Sequence, residues 1–414
     1  MPFDRPELAP ALPPLAPQTR ISRPLSTPEY YHACVGTSRW TLEGPRDVVF
    51  VLTADSRLAP QDWQRALDQA TAVNPGMRLR LVGKRSKARW ESDGLPPRLR
   101  IVEGCDWDTL TSQGSDFITA EPLSLEHGPT LELQLVSCTD GRSLVILRTV
   151  HAIVDGGGAL HLLRELFRAL RGEPLLGTNA AFSDTDLMIS TGTTHSTSKH
   201  FRTSWLTGEP SGDAMGDDWR RIPLGPPRKD MLARVAVAMA EFAHQRSDLP
   251  ALIAVPVDLR RHVPGLLSTT NFSNMLFVRL DKGDGIAHFK QRLQDMLAQR
   301  METVYPRILD IVKWLPLRWF DLLVSRTRWN YRKRKPMETA VISNLGRIDT
   351  EALSCPGFTL KHLFVHPLGG SAFSAMFCVD GQVELILNLP RVLSGEGRFD
   401  AFVDYLQRRV AEGD

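Results

Sequence analysis

One short stretch of the chain combines a histidine, an aspartate and three consecutive glycines. It reads TVHAIVDGGGALHLLREL and runs from Thr149 to Leu166, with His151 directly after an apolar run and Asp155 four residues later. Histidine is the side chain best suited to accept a proton near neutral pH, and glycine lets a substrate or another backbone approach closely. The pattern therefore indicates a general base, His151, where a strand turns into a helix.

The same stretch also fits a purely structural interpretation, in which the histidine is a packed side chain and the Asp-Gly-Gly-Gly run is a turn. Other chemistries fit less well. The sequence has no G-x-S-x-G nucleophile elbow and no phosphate-binding loop, and GGGALH places His161 where a dinucleotide-binding fingerprint needs glycine. Two ligands alone do not make a metal site, so we predict no metal and no bound cofactor.

The size and composition of the chain narrow the possible classes of protein. It has 414 residues, of which 42% are hydrophobic and 23% are charged, and its formal net charge is +3. This length favours two domains, and the composition is that of a soluble globular protein. The nearly balanced charge gives no case for nucleic-acid binding. No apolar run reaches the roughly 18 residues that a membrane-spanning helix needs.

The first residues and the cysteines indicate in which cellular compartment the protein lies. Residues 1–20 are rich in proline and do not show the basic and then apolar pattern of a signal peptide, so we expect an extended, Pro-rich leader. The five cysteines are an odd number, widely scattered, and form no CxxC pair. We therefore predict neither a disulfide framework nor a zinc site, and a cytoplasmic protein.

Apolar periodicity predicts strands and helices in both halves of the chain. Two apolar runs flank a Thr-Asp-Gly-Arg turn at 139–142, which indicates a β-hairpin. The second strand of this hairpin ends at Val150, and leucines recur at helical spacing after Gly158. His151 and Asp155 are therefore expected in the short connection between the end of a strand and the start of a helix.

A change in composition marks a predicted domain boundary. Residues 172–230 are rich in Gly, Pro, Ser and Thr, which is typical of a loop or crossover. We therefore divide the chain into a Pro-rich leader at 1–20, an N-terminal lobe at 21–178 and a C-terminal lobe with the crossover loop at 179–414. The C-terminal part again mixes strands with helices, which are predicted near 231–246, 286–303 and 397–411. Both lobes are thus expected to be α/β.

Three motifs together resemble those of one superfamily. HAIVDGG is similar to the H-x-x-x-D-G motif of the chloramphenicol-acetyltransferase-like acyltransferases, which include condensation domains, alcohol acyltransferases, wax-ester synthases and BAHD enzymes. VPVDLRRHVPGLLSTTNFSN, at 255–274, resembles their V-D-x-R…F-G-N region, and VISNLGRID, at 341–349, resembles the Asn-Leu-Gly strand of the alcohol acyltransferases. SRPLSTPEYYH and ALDQATAVNPGMRLRL are similar to the first strand-helix-strand of the superfamily.

The resemblance implies a fold and a reaction. The fold would be α/β (α+β), with two similar lobes of mixed sheets flanked by helices and a tunnel between them. His151 would be the general base for an alcohol or amine that attacks an acyl thioester of coenzyme A or of an acyl-carrier protein.

The resemblance also implies roles for the residues around the base. Asp155 would be structural and paired with Arg260 of VDLR, and Gly156 would belong to the same structural loop. Three tunnel residues could donate to the developing oxyanion: Asn274, Ser343 and Asn344. The two asparagines fit an ordinary turn or strand edge equally well.

Two departures from the superfamily leave alternatives open. Condensation domains and wax-ester synthases usually carry two adjacent histidines, whereas Val150 precedes His151 here, and the BAHD Asp-Phe-Gly-Trp-Gly stretch is replaced by HPLGGSAF. One alternative is a condensation-like fold without catalysis that acts as a binding or scaffold protein in a biosynthetic pathway.

A basic, Trp-rich stretch at 315–336 is a second conspicuous feature. It has seven Arg or Lys residues against one acid, Asp321, with Trp319 and Trp329 among leucines. One interpretation is a core helix followed by a solvated basic turn. The other is a docking surface for an acidic acyl-carrier protein or, through peripheral contact, for an anionic membrane. We favour the soluble partner, because Pro316 interrupts a long amphipathic helix.

Overall fold

Two mixed β-sheets, each packed against helices, form the centre of the protein. The computed structural model describes residues 11–37, 47–193, 202–212, 214, 216–305, 307–314, 316, 319, 336–367 and 372–412. We call the five-stranded sheet and its helices the N-terminal lobe, and the six-stranded sheet and its helices the C-terminal lobe. The fold is therefore mixed α/β, as the sequence predicts.

The strands are, in chain order, β1 (Ser22–Pro24), β2 (Asp47–Ala54), β3 (Arg80–Val82), β4 (Arg89–Glu91), β5 (Arg98–Cys105), β6 (Leu131–Cys138), β7 (Ser143–Val150), β8 (Asp217–Gly225), β9 (Ala251–Asp258), β10 (Ser273–Leu280), β11 (Ala340–Arg347), β12 (His362–His366), β13 (Phe373–Val379) and β14 (Gln382–Pro390). The α-helices are α1 (Thr27–Thr37), α2 (Pro60–Val73), α3 (Gly156–Leu170), α4 (Asp184–Ser190), α5 (Met231–His244), α6 (Ile286–Ala298), α7 (Arg391–Ser394) and α8 (Arg398–Ala411). Across the ranges described above, no helix is both long and apolar enough to cross a bilayer.

The sheet of the N-terminal lobe has the strand order β12-β2-β7-β6-β5. Its β6–β7 hairpin turns at the predicted Asp-Gly, and β2 is buried along its whole length because it lies in the middle of the sheet between β12 and β7. Helices α2 and α3 pack on the sheet, and their apolar side chains join one core cluster with those of the strands. The strand that ends at Val150 is therefore a rigid, central support for the residue that follows it.

The sheet of the C-terminal lobe has the strand order β10-β9-β11-β13-β14-β8. Strand β11 lies parallel to both of its neighbours, whereas the other pairs in this sheet are antiparallel. The Ala- and Val-rich α5 is buried on nearly every side and packs against α8 and α6 in a second core cluster. The residues that contact the N-terminal lobe lie just after β9 and just before β10.

The C-terminal half of the chain contributes one strand to the sheet of the N-terminal lobe. Strand β12 comes from the C-terminal half but pairs with β2 in the N-terminal sheet, with His366 opposite Val49. Leu345 of β11 packs against the N-terminal core cluster. The region 172–230, which the composition favours as loop, contains α4 and the edge strand β8. The boundary itself remains a prediction from composition.

Candidate active site

His151 is the first residue after β7, at the start of a short turn that leads into α3. The amide of Ile153 donates to the carbonyl of Val150 at 2.9 Å, which closes the turn. Ala152, Ile153 and Val154 are buried, whereas His151 is only half-buried. The apolar residues after His151 therefore fix the turn in the core, and the imidazole remains partly accessible at its edge.

Asp155 caps helix α3 and joins the two lobes. Its Oδ1 accepts the backbone N–H of Gly158 at 2.7 Å, and its Oδ2 accepts that of Phe272, in the other lobe, at 2.7 Å. Arg260 donates from Nη2 to Oδ1 at 2.9 Å and from Nη1 to Oδ2 at 3.2 Å. The carboxylate is thus engaged by the helix, by Arg260 and by Phe272.

The pair is charged at neutral pH. Burial alone would raise the pKa of the Asp155 carboxyl, but the charge and hydrogen bonds of Arg260, with the N–H groups of Phe272 and Gly158, bring that pKa below its ordinary value. Burial would lower the pKa of Arg260, and the charges of Asp155 and Asp258 outweigh it and raise that pKa. Asp155 is therefore a structural anion and is not available to exchange protons in the neutral range.

Arg260 also organises the segment of its own lobe that faces His151. Its Nη2 donates to the carbonyl of Thr270 at 2.6 Å and to that of Ser268 at 3.3 Å, and Asp258 caps the short helix on which Arg260 lies. One guanidinium thus holds both the cap of α3 and the chain from Ser268 to Phe272. The two lobes meet at this arginine.

The close approach of the C-terminal lobe explains two of the three glycines. A Cβ on Gly157 would lie 2.6 Å from the Arg260 Nη1, and a Cβ on Gly158 would lie 2.3 Å from the backbone oxygen of Thr269. Gly156 is less restricted, because its Cβ would lie 3.3 Å from Leu345 Cδ2. The glycines therefore allow the C-terminal lobe to pack directly on the first turn of α3.

Asn271 holds the backbone of the candidate base. It is buried, and its Nδ2 donates to the carbonyl oxygen of His151 at 2.8 Å. Asn271 lies in the same TTNFSN stretch as Asn274, but its residue type and spacing do not distinguish it from an ordinary turn asparagine. With Arg260 on Asp155 and Asn271 on His151, the C-terminal lobe fixes the loop at both ends.

A second imidazole lies against His151. His32, on α1, stacks on the His151 ring with a centroid separation of 4.1 Å and an interplanar angle of 20°. Tyr31 meets the His32 ring edge-on, with centroids 5.4 Å apart. His32 is the last residue of SRPLSTPEYYH, and nothing in the local sequence of α1 indicates what its half-buried ring contacts.

The structure does not direct Asn274 toward His151. Its Nδ2 donates to the backbone oxygen of Glu302 at 2.8 Å and contacts Met188 Sδ at 3.3 Å, while its Oδ1 accepts the N–H of Met275. This amide connects β10 to the turn near Glu302 and to α4. The amide of Asn274 is thus engaged by structural contacts, and its role as an oxyanion donor stays a prediction.

Ser343 and Asn344 face opposite sides of β11. Ser343 lies opposite Ala375, which packs in the core cluster of the N-terminal lobe, whereas Asn344 lies opposite Met376, which packs in that of the C-terminal lobe. Because cross-strand partners point to the same face of a sheet, Ser343 faces the N-terminal lobe and Asn344 faces away from it. The two side chains therefore lie on different faces of the sheet, and their role as tunnel residues stays a prediction.

Asn344 instead lines a pocket of about 480 Å³ under α5 and α6. Phe289, Leu293 and Met376 contribute to its apolar wall, and His151 does not line it. This pocket is therefore separate from the candidate base. In the same part of the chain, no group of three or more His, Cys, Asp or Glu side chains is placed to hold a metal ion.

Most of the basic stretch at 315–336 lies outside the described residues. Pro316, Trp319 and Pro336 are described, and Trp319 is exposed. The docking surface that the sequence indicates there stays a prediction.

The fold is similar to that of solved condensation domains. The condensation domain from the Monacolin K polyketide synthase gives a TM-score of 0.66 at 12% sequence identity, over 95% of this chain and 98% of that one. A mutant starter condensation domain of rhizomide synthetase, in complex with C8-CoA and Leu-SNAC, gives 0.62 at 15% identity over 95% of both chains. The epimerization domain from the third module of tyrocidine synthetase B gives 0.59 at 13% identity, over 94% of this chain and 95% of that one.

These matches define the class of fold. No protein-family model matches the sequence, and a comparison with curated proteins finds no match. At identities this low the likeness is one of fold, and it confirms the chloramphenicol-acetyltransferase-like fold that the motifs predict. The chain therefore has the condensation-domain fold over nearly its whole length.

Proposed function

We propose that this protein is an acyltransferase that moves an acyl group from a thioester to an alcohol or an amine, with His151 as the general base. The observation that carries the proposal is the placement of His151. It lies half-buried at the end of a central strand, and the C-terminal lobe holds its loop through Asn271 and through the pairing of Arg260 with Asp155. A base needs such fixed geometry to accept a proton in the transition state.

The reaction needs one base and no bound cofactor. His151 accepts the proton of the acceptor hydroxyl or amine while the acceptor oxygen or nitrogen attacks the carbonyl carbon of the thioester. The tetrahedral intermediate then collapses, and its carbon–sulfur bond breaks. Protonated His151 gives its proton to the leaving thiolate, so that an ester or amide and a free thiol are formed. Ser343, which faces the N-terminal lobe, remains the candidate donor to the oxyanion.

The donor is proposed as acyl-CoA or as an acyl group on a carrier protein. Support comes from fold neighbours, since the rhizomide starter domain was crystallised with C8-CoA, and the first condensation domain of the calcium-dependent antibiotic synthetase was crystallised with a substrate analogue. We propose a cytoplasmic setting, because the cysteine spacing of the sequence does not predict disulfides.

A donor and acceptor panel tests the proposal. The purified chain is incubated with acyl-CoA thioesters and acyl-carrier proteins of several chain lengths, each with a mixture of alcohols and amines, and products are identified by intact mass. We expect a new ester or amide together with stoichiometric free thiol, and neither with a His151→Ala variant. Thiol release without an acylated acceptor would indicate a hydrolase, and donor binding without turnover would indicate the scaffold alternative. Either result would overturn the proposal.

A further inference from the structure

The stacked contact between His32 and His151 joins two separate parts of the chain. His32 lies on α1, near the start of the chain, whereas His151 follows β7. Their rings are close to parallel, at 20°, with centroids 4.1 Å apart. Val150, which precedes His151, is buried in the apolar core. The aromatic support of the His151 ring therefore comes from α1 and not from the preceding residue.

Helix α1 is anchored firmly enough to fix a ring. Arg23 makes a two-pronged, buried ion pair with Glu29, at 2.7 and 2.8 Å, and the Glu29 carboxylate also accepts the N–H of Ser26 at 2.8 Å. Thr27, at the start of the helix, lies 2.6 Å from the hydroxyl of Tyr305. The first turn of α1 is thus tied both to its own entry strand and to the C-terminal half of the chain.

We propose that His32 is a positioning residue that holds the His151 ring in the plane needed for proton transfer. The χ2 angle of histidine is broad, so rotamer preference alone does not set the plane of the ring. A face-to-face contact on an anchored helix does set it, and an aromatic face is also a favourable neighbour for the imidazolium that forms on His151 during turnover. This inference rests on the proposed acyltransfer, in which His151 is the base.

Three substitutions separate stacking from other roles of His32. His32→Phe keeps an aromatic face and removes both ring nitrogens. His32→Leu keeps the bulk of the side chain without its aromaticity, and His32→Ala removes both the bulk and the aromaticity. Turnover is measured with donor and acceptor each varied, and thermal unfolding checks the fold. His127→Ala is the matched control, because His127 is an exposed histidine in a different loop.

The expected result is a loss in kcat that an aromatic ring restores. Because a small misplacement of a catalytic group costs rate more than binding, His32→Ala and His32→Leu should lower kcat about tenfold with KM within about twofold, while His32→Phe should stay within about threefold of the wild type. Unchanged kcat in His32→Ala would overturn the proposal. A loss in His32→Phe as large as in His32→Ala would also overturn it, because it would assign the role to the nitrogens of His32.

A spectroscopic readout keeps this test separate from that of the proposed function. The chain has eleven histidines, and its ring signals can be observed with ¹³C-labelled imidazoles, the His151 signal being assigned by its loss in His151→Ala. We expect this signal to shift in His32→Ala and His32→Leu and to stay near its wild-type position in His32→Phe. If the shifts appear but no acyltransfer is found, the acyltransfer proposal fails and the ring contact stands. If acyltransfer is found and the His151 signal is the same in all variants, the positioning role fails.

Discussion

Arg260 of the C-terminal lobe and Asp155 of the N-terminal lobe form a two-pronged ion pair, with Nη1 and Nη2 of the guanidinium 3.2 and 2.9 Å from the carboxylate oxygens. The same carboxylate caps α3 and accepts the N–H of Phe272. Both carboxylate oxygens of Asp155 therefore make structural hydrogen bonds. His151, four residues earlier, is only half-buried and is held by its backbone. The two residues of one motif should consequently respond differently to substitution.

Removal of the His151 imidazole should abolish proton transfer without unfolding the chain. We expect His151→Ala to lower kcat by about a hundredfold or more, which is the usual contribution of a positioned base. The ring is half-buried and its loop is held through the backbone, so the melting temperature should change little. Steady-state kinetics and thermal unfolding of the same preparation check this, and a variant with near wild-type kcat would remove His151 from the role of base.

Removal of the Asp155 carboxylate should reduce both stability and activity. Asp155→Ala leaves Arg260 charged and buried without its main counter-ion, which typically costs about 3–5 kcal/mol. Denaturant unfolding measures the cost. Glu103→Ala is a matched control, because it breaks an exposed ion pair with Arg57, and such a pair contributes little to stability. An Asp155→Ala protein as stable as this control would contradict the interlobe role.

The pH dependence of the Asp155 contribution has a definite sign. Its pKa in the folded protein lies below the ordinary value, so the folded state binds fewer protons than the unfolded state in acid. The stabilisation is then fully present above the unfolded pKa of about 4 and is lost as the pH falls through the folded value. The difference in unfolding free energy between wild type and Asp155→Ala should therefore shrink at low pH.

The two asparagines of the TTNFSN stretch should have separate effects. Asn271→Ala removes the donor to the His151 carbonyl, and we expect kcat to fall about tenfold with little change in KM, because the base loses its position. Asn274→Ala removes an amide that binds the Glu302 backbone, and kcat should stay within about threefold. Steady-state kinetics of both variants measure these changes in kcat and KM. A larger loss in Asn274→Ala than in Asn271→Ala would support the oxyanion role of Asn274.

The buried carboxyl of Asp184, at the start of α4, should make stability depend on pH in the opposite direction. Burial, together with the nearby charge of Glu29, raises the pKa of Asp184 to about 7, against the smaller influence of Ser26 and Arg23. The folded state therefore holds a proton that the unfolded state has released above about pH 4. The unfolding free energy should fall as the pH rises from about 4 to 7, through this group.

Asp184→Asn tests that sign, because an amide resembles the protonated carboxyl and cannot ionise. The variant should be more stable than the wild type at pH 8 and should differ less from it at pH 5. Urea unfolding at the two pH values measures the effect. Wild-type and variant curves that keep the same separation at both values would show that Asp184 does not titrate between them.

Local pattern was sufficient to predict the strand and helix around His151 but not the contacts made to it. The β6–β7 hairpin and α3 follow from apolar runs, an Asp-Gly turn and an aspartate at the helix start. Strand β8 was missed because only Trp219 and Ile222 of its nine residues are buried, so it resembles a polar loop. The pairing of β12 with β2 and the stacking of His32 on His151 depend on tertiary packing, which leaves no local signal in the sequence.

Substitutions in the basic stretch at 315–336 should distinguish a carrier-protein donor from acyl-CoA. If an acidic carrier protein delivers the acyl group, the cations from Arg332 to Lys335 should speed encounter more than they affect chemistry. A variant with these four residues changed to Gln should bind the carrier more weakly at low salt and keep its kcat at saturation. The difference should fade as salt rises, because exposed charges are screened over about 10 Å at 0.1 M ionic strength. With acyl-CoA as the donor, turnover should not require a carrier at all.

Binding measurements with a carrier protein and with anionic vesicles, each at low and high salt, therefore show which partner this stretch binds. We expect carrier binding, because Pro316 in the sequence predicts a break in any long amphipathic helix of the kind that a membrane surface would favour. Vesicles that bind the wild type and release the charge-removal variant would instead indicate peripheral membrane contact. A variant that behaves as wild type toward both would show that the cations are only a solvated surface, and the docking prediction would then be abandoned.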